Sequence, residues 1–133
     1  MNGLHLCADL SGCAAAAPLM HDAEALRHLC VEAVGAAGLG AVAELFHRFE
    51  PAPGQEQSGI TGVVLLAESH LAVHTWPELG AVTLDVYVCN LGADNAARAE
   101  ALLDMLTQAF APREAAVQRL ERGGVRGRLS PSR

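Results

Sequence analysis

The sequence predicts an α+β fold, a two-layer α/β sandwich in which a mainly antiparallel sheet carries helices on one face. Three observations lead there. Several short segments alternate apolar and polar residues with a period of two, which is the signature of half-buried strands. Two longer segments repeat apolar residues every three and four positions, as helices with a single buried stripe do. The strands interleave with those helices, and one strand pair is joined by the tight turn Pro77-Glu78-Leu79-Gly80, as antiparallel neighbours are.

In chain order, residues 3–10 put Leu4, Leu6, Ala8 and Leu10 on one face and His5, Cys7 and Asp9 on the other. That polar face is placed to look into a site. The alanine run 14–17 with Pro18 reads as a connection. Asp22 is a helix N-cap and Glu24 complements the dipole of the first turn. Leu26, Leu29, Cys30, Ala33, Val34 and Ala37 then form a stripe that Gly38 ends. A second strand over 40–49 ends in Phe46-His47-Arg48-Phe49, and 51–59 is a polar loop rich in Gly, Pro and Gln. Residues 60–67 are continuous enough in Val and Leu to be a central strand. After the hairpin at 68–89, Asp94 or Asn95 starts a helix carrying Ala99, Leu102, Leu103, Leu106 and Phe110, closed by Pro112. A last strand is predicted over 115–120, and 124–133 as a disordered tail.

At 133 residues the chain is long enough for one core and too short for two. Its net charge is −6 with nine basic residues and no basic cluster, which disfavours nucleic acid and anionic membranes as partners. No apolar run is long enough to span a bilayer, so a cytoplasmic protein is the default expectation. The four cysteines show no C-x-x-C pairing, and neither a disulfide framework nor a zinc site is expected from Cys7, Cys13, Cys30 and Cys89. One absence carries more weight: the 133 residues include no lysine, so none can hold pyridoxal phosphate as a Schiff base. An amino-acid decarboxylase built this way needs another electron sink, and no metal is expected to supply it.

The hairpin holds the candidate chemistry. Leu71 and Val73, then Val82, Leu84, Val86 and Val88, are its apolar face, while Thr83, Asp85, Tyr87 and Cys89 share the other. A hydroxyl, an imidazole, an acid and a thiol within so few residues are the inventory of nucleophilic and proton-transfer chemistry. A regular strand would point Ser69 and His74 to opposite faces. Direct Ser–His chemistry therefore calls for a bend or bulge at Ser69.

Glu68-Ser69-His70, followed by His74-Thr75-Trp76-Pro77-Glu78 and by Cys89, resembles the processing and active-site segment of the bacterial S-adenosylmethionine decarboxylase proenzymes. Gly3-Leu4-His5-Leu6, Gly12-Cys13, Phe46 to Phe49 and Gly62-Val63-Val64 extend the likeness, so that it covers residues 3 to 123 and implies a single decarboxylase domain over 1–123. The resemblance implies that Ser69 attacks the carbonyl of Glu68 and that the chain splits into a 1–68 β chain and a 69–133 α chain, leaving a pyruvoyl group at residue 69. His74 matches the family's processing histidine, and Cys89 its catalytic proton donor. Trp76 and Glu78 fall where the family lines its pocket, Phe49 matches a phenylalanine that stacks on the substrate's adenine, and Thr61 stands where relatives often carry serine.

Two positions depart from the family pattern. Asp9 replaces a glutamate and Ser11 an aromatic, both on or near the polar face of the first strand, and Asp9 is kept as a candidate substrate contact. Because some members of the superfamily decarboxylate L-ornithine or L-arginine, those substrates stay beside S-adenosylmethionine as alternatives. The family also implies a homodimer of processed protomers whose sites draw on both chains. Two readings from other classes remain: an unprocessed, non-catalytic relative, and a metal hydrolase using His70 and His74.

Overall fold

Strict alternation at the start of the chain becomes β1 (Asn2–Ser11), with Leu4, Leu6, Ala8 and Leu10 buried on one side. The computed structural model describes residues 2–124, and of the tail expected over 124–133 all but Gly124 lies outside the described residues. The other strands are β2 (Ala41–Arg48), β3 (Ile60–Leu66), β4 (Ser69–Trp76), β5 (Ala81–Cys89) and β6 (Glu114–Gly123). They form one six-stranded sheet in the order β2-β3-β4-β5-β1-β6, and each pair of neighbours is antiparallel. The predicted α+β sandwich is the observed architecture.

Among the described residues three α-helices supply the second layer: α1 (Pro18–His21), α2 (Ala23–Ala36) and α3 (Ala96–Phe110). The one-turn α1 sits inside what the sequence presents as a plain connection. Pro18 opens it because its fixed φ suits a first helical position, and Met20 anchors it with no exposed area. Asp22 caps α2 as expected, accepting from the N–H groups of Glu24 and Ala25 at 3.1 and 3.2 Å. At its other end Gly38, with φ +85°, lets Leu39 N–H return to the carbonyl of Val34.

The covered face of the sheet packs Ile60, Val64, Leu71, Val73, Val82, Leu84 and Val86 against Leu26, Cys30, Val34, Leu102 and Leu106 of the helices. Each such side chain contributes about 1.5–3 kcal/mol on burial, so a one-residue slip of any strand would exchange that gain for exposed leucines and valines. Register is thereby set, and with it the opposite face, which no described element covers. His5, Cys7, Thr61, His70, His74, Thr83, Asp85 and Tyr87 stand there half-buried.

β3 has a partner on both sides, in line with the central strand read from its sequence. The sheet's one register shift falls in β2, between Ala41 and Ala43. Beside it Phe46 lies so close over Gly62 that a Cβ there would come within 2.2 Å of the ring. β6 is longer than the expected 115–120, because it pairs with all of β1, from Asn2 with Gly123 to Ser11 with Glu114. Its own alternation is weak, so partner length sets its ends. Among the described residues no helix is long and apolar enough to cross a membrane.

Candidate active site

Ser69 opens β4. β3 and β4 are joined by the two residues Ala67 and Glu68, with Leu66 paired to Ser69. Glu68 has φ +55°, in the left-handed region that costs a residue bearing Cβ about 1–2 kcal/mol. The peptide bond ahead of Ser69 thus leaves a strained residue. Ser69 is half-buried, and its Oγ accepts the backbone N–H of Cys89 at 3.0 Å. That contact leaves the hydroxyl hydrogen free for a base. Cys89 ends β5 with 5 % exposure, and its carbonyl accepts Asn95 Nδ2 at 2.9 Å.

The other end of β4 is open. His74 lies between Thr61 and Thr83 in the sheet, with its Nδ1 2.9 Å from Thr61 Oγ1. The Trp76 ring follows at 5.8 Å, inclined by 31°. Together with Phe49, Glu78 and Gln55, the residues Thr61, His74 and Trp76 line a cleft of about 330 Å³. The 51–59 loop, whose role the sequence leaves open, is one wall of it. Phe49 pins that wall, donating its N–H to Gly59 O at 3.0 Å and accepting the Ser58 hydroxyl on its carbonyl. Gly59 is required because a Cβ there would sit 1.7 Å from the carbonyl oxygen of Thr75. Buried Thr75 ties the cleft floor to the helical layer, donating to Met20 O at 2.7 Å and accepting Ile60 N–H at 3.0 Å.

β4 pairs without a register break from Ser69 to Trp76, so the bend or bulge sought at Ser69 is absent. Ser69 shares the alternation of buried Leu71 and Val73, whereas His74 stands on the uncovered face. Five residues at about 3.3 Å each also put their backbones roughly 17 Å apart. Eight of the nine candidate residues therefore fall into two groups. Glu68, Ser69 and Cys89 meet at one end, and Phe49, Thr61, His74, Trp76 and Glu78 at the other. Asp9 belongs to neither: it is paired with Thr83 in the same row as His74, beside a shallow cleft with Ser11 and Glu114.

The uncovered face also carries a network that sequence reading did not assemble. His5 Nε2 is 3.0 Å from Asp85 Oδ1, Cys7 Sγ is 3.5 Å from the same nitrogen, and Arg122 Nη1 is 3.2 Å from His5 Nδ1. The donor atoms of His5, Cys7 and Asp85 lie within 4.8 Å of one another, the spacing of a metal-ligand set. Arg122 can only donate, so Nδ1 is the acceptor and Nε2 carries a hydrogen toward Asp85. In that tautomer no ring lone pair faces the group, and it is a closed hydrogen-bond network. Burial, then the carboxylates of Asp85 and Asp9, push the Cys7 thiol above its ordinary pKa against the opposing pull of Arg122. The metal-hydrolase reading fails on distance. His70 and His74 are four residues apart on one strand, roughly 13 Å, too far to share an ion.

The sequence matches the family described as S-adenosylmethionine decarboxylase over residues 4–123. It is 38 % identical over 123 residues to the S-adenosylmethionine decarboxylase proenzyme of Aquifex aeolicus, covering 92 % of this chain and 82 % of that protein. With the proenzyme of the same name from Pyrococcus abyssi it shares 35 % identity over 121 residues, 91 % of this chain and 78 % of that one. The fold superposes on the crystal structure of the adenosylmethionine decarboxylase from Aquifex aeolicus with a TM-score of 0.80 at 36 % identity, covering 96 % of each chain.

Proposed function

The chain belongs to the S-adenosylmethionine decarboxylase family, and from that premise we propose that it cleaves itself before Ser69 and decarboxylates S-adenosylmethionine to the aminopropyl donor of polyamine synthesis. The observation that carries the self-cleavage is the left-handed Glu68 joined to a serine whose Oγ already accepts an N–H at 3.0 Å. Ser69 Oγ attacks the Glu68 carbonyl carbon, the C–N bond breaks, the amine takes the proton, and an ester replaces the amide. Relief of about 1–2 kcal/mol at Glu68 favours this step by roughly five- to thirtyfold. A base then removes the Ser69 Cα proton, the Cβ–O bond breaks, and Glu68 departs as the C-terminal carboxylate of 1–68. Water replaces the freed amine, ammonia leaves, and residue 69 ends as a pyruvoyl group. That ketone supplies the sink for the electrons released with carbon dioxide, a task that falls to no lysine-bound cofactor in a sequence without lysine.

Cys89, beside the new terminus, returns a proton to the substrate carbon that lost carbon dioxide. His74 is the base of the elimination, and the roughly 17 Å between it and Ser69 supports a site completed by a second copy. In that homodimer the partner's His74 serves Ser69. Phe49, Thr61, Trp76 and Glu78 of the cleft reach the same point from the partner. The uncovered sheet face, with Leu45, Leu65 and Leu120 exposed, is the surface such a copy would bury. The cleft suits the substrate: Phe49 offers a ring to the adenine, and Trp76 with the Glu78 carboxylate favours a sulfonium cation. Asp9, in the row of His74, is the remaining contact and the position on which ornithine or arginine would depend.

Intact mass under denaturing conditions and release of labelled carbon dioxide test the proposal together. We expect two fragments divided before Ser69 and turnover of S-adenosylmethionine. Ser69→Ala should stay one chain and release none. Turnover of ornithine or arginine without S-adenosylmethionine would overturn the substrate, and undiminished release from Ser69→Ala would overturn the mechanism.

A further inference from the structure

We infer that Asn95 is a positioning residue for self-cleavage, holding the Cys89 backbone so that its N–H meets Ser69 Oγ; this rests on the reading of Ser69 above. Asn95 precedes α3, where its side-chain oxygen would ordinarily cap the first turn. It makes no such bond. Asp94 takes that role instead, its Oδ1 accepting Ala96 N–H at 2.9 Å. Asn95 turns its amide back to the sheet. Arg98 Nη1 donates to Asn95 Oδ1 at 2.9 Å, which fixes the amide's orientation and leaves Nδ2 to donate to Cys89 O at 2.9 Å.

Cys89 is the last residue of β5, opposite Gly3. The peptide it shares with Asn90 is held on the β1 side by Asn90 N–H donating to Asn2 O at 2.7 Å, and on the other side the Asn95 amide engages its carbonyl. The loop that follows is closed by Asn95 N–H donating to Asn90 Oδ1 at 2.8 Å. Thus Arg98, Asn95, Cys89 and Ser69 form one chain of contacts from the helix to the attacking oxygen. As Ser69 Oγ bonds to the Glu68 carbon, negative charge passes to the Glu68 carbonyl oxygen. The Cys89 N–H acts before that, holding Oγ in one position at 3.0 Å and favouring its alkoxide as the hydroxyl proton leaves.

The test follows conversion of newly synthesised full-length chain to its two fragments by intact mass. Asn95→Asp retains the oxygen that accepts from Arg98 and makes it a charged partner, but removes the Nδ2 donor. It is expected to keep or raise the thermal midpoint while cleaving at least tenfold more slowly. Asp94→Ala removes the actual cap, and should lower the midpoint with cleavage within twofold of the unmodified chain. Hydroxylamine, which cuts esters and spares amides, separates the steps. If Asn95 serves the attack, little ester forms in Asn95→Asp and hydroxylamine does not restore cleavage. Restoration by hydroxylamine, cleavage of Asn95→Asp within twofold of normal, or equal slowing in Asp94→Ala would each overturn the inference. An unmodified chain that never cleaves would instead remove the self-cleavage reading on which it stands.

Discussion

Ser69 and Trp76 begin and end the same strand, and their surroundings are opposite in kind. Around Ser69 the polar groups are committed: the hydroxyl to Cys89 N–H, the Cys89 carbonyl to Asn95, the Asn95 amide to Arg98. Around Trp76 the surfaces are free, with Trp76 and Phe49 37 % and 49 % exposed beside an open cleft. Bond rearrangement within the chain needs donors fixed before charge appears, whereas a site for a diffusing molecule needs unclaimed aromatic and acidic surface. One short strand holds both by keeping them at its two ends, and the proposed second copy is what would make them meet.

The largest effect expected from that arrangement is complementation. His74→Ala alone should leave the chain uncleaved, because the base is missing from both composite sites. Co-expressed with Ser69→Ala, the His74→Ala chain should be cleaved, since its own Ser69 then faces an intact partner's His74. Absence of fragments from the mixture, with mixed dimers verified by mass, would place both groups in one protomer and break the contrast.

Trp76→Ala comes next. It removes aromatic surface from the open end, and that surface takes no part in the proton transfers at Ser69, so self-cleavage should proceed normally while KM for S-adenosylmethionine rises about tenfold. That is the scale of losing a partly desolvated cation–π contact of about 1–2 kcal/mol. A cleavage defect as large as the KM effect would mean that the two ends are not separable.

The sequence was most informative where a side chain's role is set by its own strand or helix. Apolar alternation gave β1 and β5, Asp22 and Gly38 bounded α2, and both were legible because burial and capping act locally. The Glu68-Ser69 pair and the cleft residues were legible only as a resemblance, since spacing alone put Ser69 and His74 on opposite faces and did not say how they could cooperate. The split into two ends was hidden because it depends on register across three strands. Asn95 looked like an ordinary cap, and its turn toward Cys89 follows from Arg98, three residues on, together with the place where β5 stops. No local pattern encodes that. The His5, Cys7, Asp85 and Arg122 network joins three separate strands, and was equally out of reach.

A smaller effect is expected at Glu68. Glu68→Gly relieves the positive φ at no steric cost, so the folded, uncleaved chain should gain about 1 kcal/mol while cleavage slows roughly fivefold. Faster cleavage in this variant would show that strain at the turn plays no part in the closed end.

The smallest effect on either end is expected beneath the covered face, at Cys30. Burial pushes its thiol up to about 12 from the 9.0 of an exposed cysteine. A folded pKa raised above the unfolded one means that the unfolded chain loses the proton first. The contribution of Cys30 is therefore complete below pH 9 and declines by up to about 1.4 kcal/mol per pH unit as pH rises toward 12. Cys30→Ala should flatten the fall of the urea midpoint above pH 9, while cleavage and KM at pH 8 stay within twofold of the unmodified chain. A change in cleavage there would mean that the helical layer, through Asn95 and α3, transmits repacking to Ser69, and the closed end would extend further into the core than its hydrogen bonds indicate.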